Sequence, residues 1–495
     1  MKYRGWMTII NKIALVEPVS DIPNIYSLIA IPRLGLPVLA NVLSQEGYQV
    51  DIFSEKIRKP TFRELESYDL IGVSILTNSS QKGYRYADLM RKSGKTVVIG
   101  GPHATFRPEE ALLHADYVVR GEAEGTAVEL LAALNGSGSL ESIKGLSYRK
   151  DGECIHNDDR EISEEFINVP ADFSRVKGME QFRKGALSRF LYTPMVYTTR
   201  GCPFSCRYCT VIKLAGRKLR YRTPESCIGD IRSALEGIQV RKSIMIVDDN
   251  FTVDMKRAKD ILKRMITLGK PDYVLYNMQL RVETFSDEEF LSLLNEAGFG
   301  LLHVGFESIS PGALKEWQKN ISVDQIRFVV EQARKFGLKV NGMFIVGSDS
   351  DTEETVEATV RHAIELDMAV LQLFILCPLP GSEVNDQFTG ENRIFTYNWK
   401  YYDCHHSVFF PENIRPSVLQ HAVLRANRQF YSWRRMFIEK AAGNRVTCGM
   451  ALKQSEGHLR GYVERLRSIE EKYYGKDGKL LKERLRENKP EECPI

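Results

Sequence analysis

Short apolar runs recur along the first 130 or so residues, separated by stretches whose apolar positions repeat at helical spacing. Ile13–Val16, Gln49–Phe53, Leu70–Ile75, Thr96–Gly100 and Tyr117–Arg120 read as strands. Leu36–Glu46 and the stretch from about Gly125 read as helices. Strands separated by roughly ten to fifteen helical residues predict an α/β fold with a doubly wound parallel sheet. A second series begins at Phe190–Val196 and continues through Ser243–Val247, Tyr273–Tyr276 with Gln279–Arg281, Leu302–Phe306, Val340–Val346 and Val370–Leu376. Helical patterns such as Asp287–Ala297 and Val323–Lys335 lie between them, giving six β/α units where a full barrel has about eight.

Between the two series, Asn135–Ser139 is a flexible turn-rich stretch, and Ser147–Ile155 reads as a β-hairpin turning at Asp151-Gly152. Beyond residue 400 the pattern is mostly helical. Leu419–Lys440 and Gly457–Lys472 are basic and amphipathic, which predicts packing on the second layer. A membrane-surface role is the weaker reading of those two faces. The chain thus divides into 1–135, a linker at 136–189, 190–400, and a helical 401–495.

Composition narrows the class. The 495 residues are 43% hydrophobic and 27% charged, with a net charge of +4, values of a globular protein with no case for nucleic acid as its main partner. No apolar run reaches the roughly 18–20 residues needed to cross a bilayer. The N-terminus lacks the pattern of a secretion signal, and nine cysteines call for no disulfide framework. A cytoplasmic location is expected.

The candidate chemistry sits where strands end. Cys202, Cys206 and Cys209 lie on the short run Arg200–Thr210 after the first strand of the second series. Three thiolates on one loop can hold three corners of a [4Fe–4S] cubane and leave one iron open, where a closed site uses four. Zinc would want a fourth ligand, and the next cysteine, Cys227, stands alone in the sequence. Asp248, Asp249 and Asn250 follow the second strand; an acid pair there suits an ammonium, or caps the next helix. Arg281 ends the third strand and suits a carboxylate, or pairs with Glu283. Glu307 and Ser308 end the fourth, and a buried glutamate demands a partner. Gly347 ends the fifth, and Cys377–Ser382 ends the sixth. Cys377 reads as a packing thiol. Cys404, His405 and His406 suggest a metal only weakly, because adjacent histidines on one loop rarely bind one ion.

The CxxxCxxC run with Tyr208 before its last cysteine, followed in order by these strand-end motifs, resembles the radical S-adenosylmethionine (SAM) superfamily. The N-terminal pieces "PRLGLPVLANVLSQEGYQVDIF", "GVSILTNSS", "VVIGGPHATFRPEEAL" and "DYVVRGEAEGTAVELL" resemble the cobalamin-binding domain of the B12-dependent branch. The resemblance implies a partial (β/α)6 barrel. It implies a cluster on Cys202, Cys206 and Cys209. It also implies SAM contacts at Tyr208, Asp248, Asp249, Asn250, Arg281, Glu307, Ser308 and Gly347. Cobalamin contacts would fall at Leu34, Gly35, Ser74, Gly101, His103, Gly121, Glu122 and Glu124. The cobalt-ligating histidine of the mutases is missing, since Asp51–Lys56 contains none. The implied activity is reductive cleavage of SAM to a 5′-deoxyadenosyl radical and C-methylation of an unactivated carbon. The substrate would be a small molecule, lipid or tetrapyrrole, and the electron donor flavodoxin or ferredoxin. Cyclisation, oxidative ring formation or C–C coupling without cobalamin is the alternative; a non-catalytic metal- or nucleic-acid-binding protein is the remote one. No residue is assigned as a catalytic hydrogen or proton donor.

Overall fold

A computed structural model describes residues 9–22, 32–185, 192–236, 242–319, 321–438 and 443–492. The chain forms two compact units, one built on the N-terminal sheet and including residues 213–222, the other carrying the cysteine loop and residues 223 onward.

The first unit is a seven-stranded sheet of β1 (Lys12–Glu17), β2 (Gln49–Ser54), β3 (Leu70–Ser74), β4 (Thr96–Gly100), β5 (Tyr117–Val119), β6 (Leu146–Lys150) and β7 (Glu153–His156). The order is β2-β1-β3-β4-β5-β6-β7, with β1 to β5 parallel and β6 and β7 antiparallel. Helices Gly35–Gln45 and Ser80–Lys92 cross over between parallel strands, and Ala123–Leu134 joins β5 to antiparallel β6; strands such as β3 are buried and read as continuous apolar runs. The expected hairpin forms at Asp151 (φ 52°) and Gly152 (φ 89°), the left-handed pair that a tight hairpin turn requires, and it extends the N-terminal sheet.

The second unit is a six-stranded, all-parallel sheet of β8 (Met195–Val196), β9 (Lys242–Ile246), β10 (Val274–Leu280), β11 (Phe299–Glu307), β12 (Lys339–Val346) and β13 (Val370–Ile375), in strict sequence order. Six strands with intervening helices make the partial barrel. Of the strand expected over Phe190–Val196, residues 190–191 lie outside the described residues, Tyr192 makes an isolated bridge, and Met195–Val196 pairs with β9.

Alternation decides which face does what. Leu302, Val304 and Phe306 of β11, with Val340 and Phe344 of β12, enter one core with helices Val323–Lys335 and Glu353–Glu365. The opposite face therefore turns away from those helices and carries His303, Met343, Ile345, Gln372 and Phe374, all half-buried.

The C-terminal helices are Pro416–Phe430 and Gly443–Glu470, displaced from the expected Leu419–Lys440 and Gly457–Lys472. Leu419, Ala422, Val423, Ala426 and Phe430 join the barrel core, so the apolar face of the first helix is consumed by packing. An aromatic layer that includes Trp399, Tyr401, Tyr402, Phe409 and Phe410 is buried. At residues 403–406, Asp403 accepts from His406 Nδ1 at 2.9 Å.

Candidate cofactor sites at the strand ends

Cys202, Cys206 and Cys209 are free, half-buried thiols on one loop, tightened by a Cys209 N–H donating to the Cys206 carbonyl at 3.0 Å. Burial pushes the Cys202 thiol up and Cys209 up to about 11. A soft metal centre must therefore displace protons as it binds. The donor set, three free thiols on one short loop, has the chemistry to hold a cubane at three corners.

Around this loop the structure gathers most of the expected strand-end residues. Arg281 lies over the Phe204 ring at 3.7 Å and pairs with Glu283 at 2.8 Å, so its pairing to Glu283 and its place against the cysteine loop hold together. Asp249 is exposed and accepts from Gly201 N–H at 3.2 Å. Tyr208 is the hub: its hydroxyl reaches both Cys206 and Glu307, and its ring meets Trp317 edge-on at 6.0 Å. Burial raises the Tyr208 pKa well above its ordinary value, which keeps the phenol protonated as a donor.

Glu307 sits at a break in the β11–β12 register and takes a left-handed φ of 63°. That kink turns its carboxylate back beside Gly305, where an added Cβ would lie 2.4 Å from Glu307 Oε1. Buried Lys319 pairs with it at 3.0 Å. Ser308 is also buried and caps Ser310 N–H at 2.9 Å. Gly347 has φ 104°, its N–H bonds Asp351 at 2.8 Å, and a Cβ there would come 3.0 Å from Leu419. Only glycine suits that turn.

Two expectations need correction here. Asp248 is buried, and its oxygens accept from Thr198 N–H, Thr198 Oγ1 and Thr199 N–H, so it ties β9 to the end of β8 and has little left for an ammonium. The cap of the following helix is Asp254, which accepts from Arg257 N–H at 3.0 Å; the Asp248–Asn250 turn does not cap it. Asn250 is buried and accepts from Thr252 N–H at 3.3 Å.

In the N-terminal unit, Leu34, Gly35, Ser74, Gly101 and Gly121 lie at strand ends and reach the surface or its edge. An added Cβ at Gly35 or Gly121 meets nothing within 4 Å among the described residues, so this edge is a ledge of open backbone. Gly101 (φ 95°) is glycine for another reason: a Cβ would stand 2.7 Å from the Ile75 carbonyl. His103 is fully buried, with Nδ1 3.3 Å from Thr77 Oγ1 and Nε2 3.5 Å from Glu110, and burial lowers its pKa. It is a core histidine and presents no ring nitrogen to the ledge. Glu122 is held by a two-pronged bond from buried Arg220 at 2.6 and 2.7 Å, and Glu124 is itself buried.

Sequence reasoning missed two groups. Arg33 bridges Glu17 at 2.8 Å and the Ser74 carbonyl at 2.8 Å at the same strand ends. On the inner barrel face, Asn341 Nδ2 donates to His303 Nδ1 at 2.7 Å and to Gln372 Oε1 at 2.8 Å. Burial pulls the His303 pKa down to about 4, so this ring stays neutral. The available signal was a polar residue at alternate positions of otherwise apolar strands.

One group near the loop titrates usefully. Arg207 bonds the Glu316 carbonyl at 3.3 Å, and Asp349 N–H donates to Glu316 Oε2 at 3.2 Å. Burial, then the Asp349 carboxylate, pushes Glu316 up to about 7. A raised carboxyl favours the folded state when protonated. Its contribution is present below about pH 4.5 and is lost as pH rises through about 7. Glu316→Gln should therefore match the parent's melting temperature at pH 5 and exceed it at pH 8, by roughly 1–3 °C given partial exposure. Paired thermal scans at the two pH values check this.

Both units resemble known proteins. Residues 196–363 match the family model for the radical SAM superfamily, and residues 29–131 match the B12 binding domain. An uncharacterized methyltransferase, PH0819, of Pyrococcus horikoshii is 32% identical over 75% of this chain and 81% of its own length. The bacteriochlorophyllide d C-12(1)-methyltransferase of Chlorobaculum tepidum is 25% identical over 85% of this chain and 87% of its own. Among solved structures, the radical S-adenosylmethionine methyltransferase TsrM of Kitasatospora setae, with cobalamin and a [4Fe–4S] cluster bound, superposes with a TM-score of 0.67. That match covers 93% of this chain and 99% of TsrM at 16% identity, a likeness of fold.

Proposed function

Because this chain belongs to the radical SAM superfamily, in the branch that carries a B12 binding domain, we propose that it is a cobalamin-dependent C-methyltransferase. The observation that carries the reading is the loop of three free thiols with Tyr208 linking it to Glu307. When bound, the cluster supplies the electron that opens a C–S bond of SAM, and the corrinoid carries a methyl group.

Each residue then has a task. Cys202, Cys206 and Cys209 hold the cluster. Arg281, fixed over Phe204, lends positive charge to the SAM carboxylate, and exposed Asp249 lends negative charge to its ammonium. Glu307 and Ser308, turned inward by the kink, meet ribose hydroxyls, and Gly347 leaves room for adenine. Asp248 acts as a positioning residue through the β8 end. The ledge at Leu34, Gly35, Ser74 and Gly121 takes the corrin. In domain terms, 1–135 serves cobalamin, 190–400 serves SAM, and 136–189 and 401–495 support them.

The inner face of the second unit bears neutral groups at His303, Asn341 and Gln372, beside Met343, Ile345 and Phe374. That mixture favours a largely apolar small molecule with a few hydrogen-bonding groups, tetrapyrroles and lipids included. No helix among the described residues is long and apolar enough to cross a membrane. A reducing cytoplasm and a flavodoxin or ferredoxin donor complete the proposal.

The test is anaerobic reconstitution followed by mass spectrometry and extraction of the corrinoid. Methyl transfer predicts that 5′-deoxyadenosine and S-adenosylhomocysteine both form and that a corrinoid spectrum is recovered. 5′-Deoxyadenosine alone, from corrinoid-free protein, overturns methyl transfer in favour of another radical reaction.

A further inference from the structure

Cys377 follows β13 and is buried, at 6% exposure, in the aromatic layer of the second unit. Cys404 is half-buried at the edge of the same layer, 27 positions later in the sequence. The fold brings them together. Both residues pack in one aromatic cluster, and the Cys404 thiol and backbone N–H are near enough to the Cys377 sulfur to act on it. The Ile375 N–H donates to the Cys404 carbonyl at 2.8 Å, which pins the Cys404 backbone to the end of β13.

The turn holding Cys404 is specially built. Cys404 adopts a left-handed φ of 64°, a strained choice for a residue with a side chain. Asp403 Oδ1 holds the turn by accepting from His405 N–H at 2.9 Å, His406 N–H at 3.2 Å and His406 Nδ1 at 2.9 Å. Neither cysteine has a task in the cluster or SAM assignments above.

We propose that Cys377 and Cys404 form a redox-active thiol pair that closes to an intramolecular disulfide by exchange with a small disulfide. Cys404 is the entry point, because it is the more exposed of the two. Its thiolate attacks one sulfur of the small disulfide, forming a mixed disulfide and releasing one thiolate. The Cys377 sulfur, as thiolate, then attacks Cys404 and releases the second. Two protein S–H bonds and one S–S bond are exchanged for one protein S–S bond and two small thiols, which take up the two protons. A dithiol reductant reverses the step. Burial raises the Cys377 pKa well above its ordinary value, so the second attack is the slower one and starts after Cys404 is occupied. Closure staples the strained turn to the end of β13.

The experiment uses the full-length, cluster-loaded protein held anaerobically with oxidised glutathione, then N-ethylmaleimide, then trypsin and mass spectrometry. Arg393 and Lys400 lie between the two cysteines, so trypsin separates them unless they are bonded. The pair predicts a cross-linked peptide joining Cys377 to Cys404 that dithiothreitol releases. It also predicts at least a roughly tenfold fall in maleimide labelling of Cys404, with half-buried Cys154 still labelled and iron content unchanged. In Cys377→Ala the glutathione adduct should persist on Cys404; the parent peptide map stands by itself if that variant folds poorly. Separate labelling of both cysteines in the parent, a glutathione adduct on Cys404 that does not resolve, or cross-links to Cys202, Cys206 or Cys209 each overturn the pair.

Discussion

Replacing any one of Cys202, Cys206 or Cys209 with alanine should abolish reductive cleavage of SAM, a fall of at least about a thousandfold, equivalent to roughly 4 kcal/mol of activation barrier. The three thiols share one loop, and the remaining cysteine near that part of the sequence, Cys227, is fully buried in helix Pro224–Leu235 and lies 3.7 Å from Arg257. It cannot substitute as a ligand without unpacking the core. Each alanine variant should also lose most of its iron after reconstitution. Melting of the iron-free proteins should change little, because these cysteines are half-buried loop residues. Cys227→Ala supplies the contrast: a measurable loss of stability from a buried cavity, with iron and SAM cleavage retained. Iron assay, thermal melting and 5′-deoxyadenosine quantitation on the four proteins separate these outcomes.

The second large effect is expected at Glu307. Its carboxylate neutralises Lys319, and both are buried. Glu307→Ala leaves an ammonium without that counter-charge in a low-dielectric setting, which costs roughly 3–5 kcal/mol. A melting temperature lower by on the order of 10 °C is expected for a unit of this size. Removing both charges with Glu307→Ala and Lys319→Met should restore most of that loss, since a buried pair replaced by apolar groups is often near neutral. SAM cleavage should stay depressed in the double variant, because the Tyr208 partner and the inward carboxylate are both gone. A double variant that melts like the parent and cleaves SAM like the parent would confine Glu307 to a structural role.

Much of the fold was readable because buried parallel strands are plain apolar runs. Thr96–Gly100 was placed to the residue, and helix Val323–Lys335 likewise, with Ser322 and Gln325 supplying a capping box at its start. The hairpin was readable from Asp151-Gly152, whose left-handed conformations follow from residue type. The end of helix Pro416–Phe430 was not. No glycine or proline stops it; Tyr431 ends it by a tertiary bond, its hydroxyl donating to the Leu371 carbonyl at 2.6 Å.

The site divides along the same line. Motif order placed the cysteines, Tyr208, Arg281 and Glu307 together, because strand ends converge in a barrel whatever the side chains do next. Sequence does not say which way a carboxylate turns. Asp248 and Asp249 are neighbours of one type, yet one faces the backbone of Thr198 and Thr199 and the other faces outward. His103 follows two glycines as a binding-loop histidine would, yet the short helix Pro102–Phe106 carries it into the core. Glu122 was readable as a strand-end acid, but its partner Arg220 lies almost a hundred positions away.

The central claim is an iron left open for SAM, and electron paramagnetic resonance of the reduced, reconstituted protein tests it most directly. The account predicts a cubane signal whose g-values shift when SAM is added and do not shift with S-adenosylhomocysteine in its place at the same strength. A cubane signal indifferent to SAM, or no iron signal from protein whose three thiols are intact, would contradict it.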